Sequence, residues 1–144
     1  MSELDEERQL IRERKKRQLQ RKLENERGGD ESDARAEPSP SDPVEIDGAD
    51  HLQEVIDNYP VVLVDCYADW CGPCRMLEPT IKALAAETDA AVAKVDIDAN
   101  QRLAAELGAR SVPTLLLYAD GEPVERLLGV QPRTTLETLI DQYT

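Results

Sequence analysis

Four aliphatic residues in a row, Val61-Val62-Leu63-Val64, follow Pro60 and lead into Asp65-Cys66-Tyr67. Successive side chains of a strand point to opposite faces, so such a run has no solvent face and predicts a central strand covered by helices on both sides. The flanking segments alternate accordingly. A short strand is predicted over 44–47, a helix over 49–58 opened by Asp47 or Asp50, and the central strand over 61–67. A helix over about 73–88, a strand over 92–97 and a helix over 100–107 follow, then strands over 114–118 and 124–128 and a final helix over 134–143. Asp120-Gly121 between two apolar runs is a two-residue hairpin signal, which makes the last two strands antiparallel. The order β-α-β-α-β-α-β-β-α predicts an α/β domain: a central mixed sheet of about five strands flanked by helices on both faces.

This patterning starts at Val44. The first 43 residues hold only a few large apolar side chains (Leu4, Leu10, Ile11, Leu19, Leu23), too few for a core. Residues 1–29 read as a charged extension whose Glu, Arg, Lys, Gln and Leu favour a helix up to Gly28-Gly29. Its apolar positions 4, 11, 19 and 23 keep no sustained heptad. Two readings stand: a solvated, fraying helix, or a docking arm or weak coiled coil that touches RNA through Arg14-Lys15-Lys16-Arg17. Residues 30–43 read as an acidic disordered linker, and 44–144 as the folded domain, large enough for a modest interior.

The formal net charge of -13 is unevenly spread. Residues 1–29 carry 9 Lys+Arg against 7 Asp+Glu, 30–50 carry 1 against 8, and 51–144 carry 7 against 15. A globular part this acidic lacks the clustered cations that phosphate contacts need, so neither nucleic acid nor an anionic membrane surface is an expected partner of the domain. Lysine is confined to Lys15, Lys16, Lys22, Lys82 and Lys94. An acidic, lysine-poor surface is suited to a salt-loaded cytoplasm, where dense salt screens carboxylate repulsion, and suggests a halophile. The charged N-terminus lacks the apolar run of a secretion signal and no stretch is long enough for a membrane helix, which predicts a cytoplasmic protein.

Three cysteines, two of them in Cys71-Gly72-Pro73-Cys74, do not make a secreted disulfide framework. A C-x-x-C pair serves either redox chemistry or half of a zinc site. Zinc needs two further ligands. The remaining soft donors are Cys66, which the strand pattern buries, and His51, on a helix elsewhere, so no metal is expected. For redox work one thiol must ionise, and the start of a helix favours that through unpaired N–H groups and the helix dipole. The central strand ends at Tyr67, Ala68-Asp69-Trp70 leads to Cys71, and a helix begins near Pro73, a residue suited to the first turn. Cys71 is therefore expected to attack and Cys74, one turn deeper and shielded, to resolve. Cys66 reads as a small buried hydrophobe or a third redox thiol.

The run Val64-Asp65-Cys66-Tyr67-Ala68-Asp69-Trp70-Cys71-Gly72-Pro73-Cys74 resembles the thioredoxin family signature, and Ser111-Val112-Pro113-Thr114 resembles its cis-proline loop. Pro79, Lys94-Val95-Asp96 and Gly129-Val130 fit the same pattern, and the resemblance covers about Val44 to Thr144. Cys66 and Tyr67 stand where the family often has large aromatics, Arg75 replaces a common lysine, and phenylalanine is absent.

The resemblance implies a redox-active disulfide between Cys71 and Cys74 and a thiol-disulfide oxidoreductase that reduces protein disulfides by exchange. It implies Asp65 as proton acceptor for Cys74, tuned by Lys94; a buried acid simply paired with Lys94 is the alternative. It implies a substrate groove made by Trp70, Gly72, Pro73, Val112, Pro113 (in cis), Gly129 and Val130. Disulfide-containing client proteins and a thioredoxin reductase are the implied partners of a protein expected to be monomeric, with no bound cofactor. Gly72-Pro73 resembles the reducing members. A disulfide oxidase or isomerase of the same fold, or a redox-inactive binding module that uses the N-terminal arm, are the alternative functions.

Overall fold

The computed structural model describes residues 3–27 and 38–144. The chain divides into two units, Met1–Glu37 and Pro38–Thr144. In the first, a single helix α1 (Glu3–Arg27) leaves Leu10, Ile11 and Leu19 exposed. Of the linker predicted over 30–43, residues 30–37 lie outside the described residues.

The second unit contains β1 (Val44–Glu45), α2 (Gly48–Asn58), β2 (Val61–Tyr67), α3 (Gly72–Glu87), β3 (Ala91–Asp96), α4 (Gln101–Leu107), β4 (Thr114–Ala119), β5 (Glu122–Leu128) and α5 (Arg133–Tyr143). The strands form one sheet in the order β1-β3-β2-β4-β5. β1, β3 and β2 run parallel, and β2-β4 and β4-β5 pair antiparallel. The predicted order is the observed one, and β2 is central. Its alternation divides the interior in two. Val62, Val64 and Cys66 pack with Leu52, Val55 and Ile56 of α2 and Leu103 of α4. Val61 and Leu63 pack on the other face with Leu77, Ile81 and Leu84 of α3 and Leu136 and Ile140 of α5. Asp65 follows in step with Val61 and Leu63 and so belongs to the face covered by α3.

Asp120 and Gly121 both adopt positive φ, 54° and 85°, as a two-residue turn matched to the strand twist requires. A register shift falls between Leu117 and Tyr118, beside Pro123 on the edge strand β5, where proline is tolerated. The start of α2 differs from expectation. Asp47 is the N-cap but makes no side-chain cap; its N–H donates instead to His51 Nδ1 at 2.9 Å, and the Gly48 N–H donates to Asn100 Oδ1 at 2.9 Å. Orphan donors at this helix end are thus satisfied by a later residue of α2 and by the residue that caps α4.

Candidate active site

β2 delivers the chain to the site. After Tyr67 the backbone turns through buried Ala68, whose carbonyl accepts from the Cys71 N–H at 3.2 Å. Cys71 is the N-cap of α3: its φ of -88° and ψ of 109° lie outside the helix, and its Sγ accepts from the Cys74 N–H at 3.1 Å. Pro73 occupies the first turn, where a missing N–H costs nothing. Pro79, in mid-helix, leaves the Arg75 carbonyl without its usual donor. Cys71 and Cys74 form a disulfide with their Cα atoms 5.3 Å apart. Both are buried, at 3% and 6% exposure, among Tyr67, Ala68, Ile97 and Val112. The expectation that Cys74 is the more deeply shielded of the two is corrected: residue burial is nearly equal, while Cys71 Sγ accepts the Cys74 N–H.

The Val112–Pro113 peptide is cis. The Val112 carbonyl oxygen lies 3.7 Å from Cys71 Sγ, which brings this loop against the disulfide. The Gly129 N–H donates to the Pro113 carbonyl at 2.9 Å and ties the end of β5 to the same loop. Gly129 has a φ of 81°, a conformation that disfavours side chains. A Cβ on Gly72 would meet open space. Around the dithiol Trp70 is 68% exposed, and Val130 is also exposed. Met76 of α3 and Leu128 of β5 are further exposed apolar residues, and neither was singled out in the sequence, because helix and strand periodicity alone does not identify an outward apolar side chain.

Two polar contacts also escaped sequence reasoning. The Trp70 indole N–H donates to Asp98 Oδ2 at 2.9 Å, and Asp98 sits in a turn whose N–H groups donate to Asp96 Oδ1. The Arg75 guanidinium donates to the Asp69 carbonyl at 2.7 Å, so the residue after the C-x-x-C motif braces the loop before it.

On the face of β2 covered by α3, Asp65 is 3% exposed, and its Oδ1 has no hydrogen-bond partner. Burial pushes this carboxyl up to about 7; Lys94 opposes the rise, while Glu78 and Glu45 add to it. The simple Asp65–Lys94 ion pair weighed from the sequence is absent. Lys94 Nζ bonds Glu78 Oε1 at 2.9 Å and lies 4.2 Å from the centroid of the Tyr67 ring. The Tyr67 hydroxyl donates to Glu45 Oε1 at 2.5 Å. Cys66 lies on the opposite face of β2, and burial pushes its thiol up to about 12, which suits an inert core residue. Among the described residues no group of three or more His, Cys, Asp or Glu could hold a metal ion.

With this geometry in view, comparison with known proteins decides the family. The Thioredoxin family model matches residues 42–142. The chain belongs to the thioredoxin family.

Thioredoxin from Porphyra purpurea is 44% identical over 101 residues, covering 69% of this chain and 94% of that protein. Thioredoxin from Chlamydia muridarum is 48% identical over 84 residues, covering 58% and 82%. Among solved structures, a mutant thioredoxin from Halobacterium salinarum superposes with a TM-score of 0.73 at 52% identity, covering 76% of this chain and 96% of that one. The fold is the thioredoxin fold, and the activity is dithiol-disulfide exchange, that of a protein-disulfide reductase. Membership implies disulfide-containing client proteins and a reductase partner. None of the described helices is long and apolar enough to cross a membrane.

Proposed function

We propose that Cys71 is the attacking thiol, Cys74 the resolving thiol and Asp65 the acceptor of the Cys74 proton, with Lys94 tuning Asp65. The observation that carries the reading is the hydrogen bond from the Cys74 N–H to Cys71 Sγ, because a donor aimed at sulfur stabilises its thiolate form. In the reduced protein the Cys71 thiolate attacks one sulfur of a client disulfide, forming a mixed disulfide and releasing the other client sulfur as thiolate. Cys74 passes its proton to Asp65 and attacks Cys71 Sγ. The client's second thiolate leaves, two electrons have moved to the client, and the Cys71–Cys74 disulfide remains. A thioredoxin reductase returns the two electrons.

The client strand lies across Trp70, Gly72, Pro73, Val112, Pro113, Gly129 and Val130. Open space at Gly72 and the exposed faces of Trp70 and Val130 support this groove, and the cis-proline loop offers backbone for strand pairing. The protein works as a monomer in the cytoplasm, without a bound cofactor, and the 52% identity to a protein of Halobacterium salinarum supports an origin in a salt-rich cytoplasm. Residues 1–29 are a charged extension and 30–43 a linker to the domain at 44–144.

Trapping on a Cys74→Ser variant tests the assignment: stable mixed disulfides through Cys71 are expected, and none on Cys71→Ser. Adducts formed instead on Cys74 in the Cys71→Ser variant would reverse the roles. Running the trap with and without residues 1–43 tests whether the extension selects clients.

A further inference from the structure

The parallel register of β2 and β3 sets Lys94 opposite Asp65, and Lys94 is the cation whose charge acts on that buried carboxyl. The lysine does not serve it. Its ammonium bonds Glu78 on α3 at 2.9 Å, with the lysine side chain at 13% exposure and the glutamate at 40%. The aromatic ring of Tyr67 flanks the ammonium at 4.2 Å, and the Tyr67 hydroxyl is itself held by Glu45 of β1. Glu78 therefore holds Lys94 as a competing anion.

We propose that Glu78 is a positioning residue that draws Lys94 away from Asp65 and thereby keeps Asp65 a ready proton acceptor. The inference rests on the reading of Asp65 as the group that takes the Cys74 proton. A carboxylate with an ammonium at hydrogen-bond distance is a poor base, since the pair stabilises its ionised form. An ammonium engaged elsewhere offers only a longer-range attraction, and the competing anion adds repulsion of its own.

The charged and titratable groups around Asp65 agree with this division. Lys94 on β3 favours its ionised form, whereas Glu78 on α3 and Glu45 on β1 oppose it. Apolar residues also lie on this side of the sheet: β4 pairs Leu115 with Asp65, and α5 turns Leu136 and Ile140 to this face. In the reduced protein the Cys74 thiol is, on the reading of Asp65 as its proton acceptor, the further titratable group there. The Tyr67 phenol, next on the same face of β2, is held protonated by burial and by Glu45. The fixed charges acting on Asp65 are thus one cation and two carboxylates, and Glu78 alone of the two carboxylates bonds that cation directly.

The test is a carbon-13 NMR titration of the Asp65 carboxyl in the reduced full-length protein, for the native chain, Glu78→Gln and Glu78→Asp. Glu78→Gln removes the competing charge without losing helix propensity at a partly exposed site. Its Asp65 midpoint is expected to fall by about half a pH unit or more, equivalent to roughly threefold more ionised Asp65 below the midpoint. Glu78→Asp, which keeps the charge, is expected to return the midpoint toward the native value. An unchanged or higher midpoint in Glu78→Gln would overturn the proposal. The underlying reading is judged separately, by the pH profile of mixed-disulfide resolution in Asp65→Asn. A native profile there would remove Asp65 as acceptor whatever the titration of the Glu78 variants gives.

Discussion

The Trp70 indole nitrogen lies 2.9 Å from Asp98 Oδ2, so the loop that carries the first cysteine is pinned to the turn between β3 and α4. The ring is held through its N–H while the residue as a whole stays largely open to solvent. Asp98→Ala is expected to release the indole and lower kcat/KM toward a protein disulfide several-fold. At so exposed a contact the loss of stability should stay within about 1 kcal/mol. Steady-state kinetics beside thermal unfolding separate the two effects.

Trp70→Ala removes the largest exposed apolar face beside the disulfide. Little core packing is lost, so the melting temperature should move by only a few degrees, on the order of a 1 kcal/mol change. Client affinity should fall further than reactivity toward a small disulfide, since a small reagent needs no groove. Equal losses for both reagents would assign the ring to the chemistry itself.

Asp65 makes stability depend on pH. Its carboxyl ordinarily ionises at 3.8, and burial pushes it up to about 7 in the folded protein. Below the ordinary value both states are protonated and there is no penalty. As pH rises from there toward 7 the unfolded chain releases its proton while the folded one retains it, so stability falls, and above 7 the penalty is constant. Its size is on the order of 4 kcal/mol. Asp65→Asn should abolish this slope, unfold at higher denaturant concentration than the native chain at pH 8, and slow disulfide exchange. Denaturant titrations across pH check the first two, and stopped-flow kinetics the third.

The acidic surface predicts a salt response. Net charge of -13 destabilises the compact state by self-repulsion at low ionic strength, and molar salt shortens the Debye length to about 3 Å. The melting temperature should therefore rise from millimolar to molar potassium chloride. A flat or falling curve would remove the argument for a salt-rich cytoplasm.

Much of the fold was legible because it follows from local periodicity. Val61-Val62-Leu63-Val64 reads as a strand buried on both faces, and two helix-bearing cores form on its two sides. Asp120-Gly121 specified its hairpin through the positive φ that both residues adopt. Where the pattern was weak, so was the reading: β1 ends at Glu45 rather than at 47, because the α2 start claims Asp47 and Gly48 through His51 and Asn100.

By itself, the sequence determined the element order, the central strand, and a C-x-x-C pair at the start of a helix, since propensity, alternation and turn chemistry act over a few neighbouring residues. Only the tertiary structure decided which charges meet. Lys94 shares a face with both Asp65 and Glu78, and periodicity names the face without naming the partner. The same holds for Trp70 with Asp98, 28 positions apart, and for Gly48 with Asn100, 52 positions apart. Such contacts depend on how strands and helices stack in space, where a shift of an ångström or two makes or breaks a hydrogen bond.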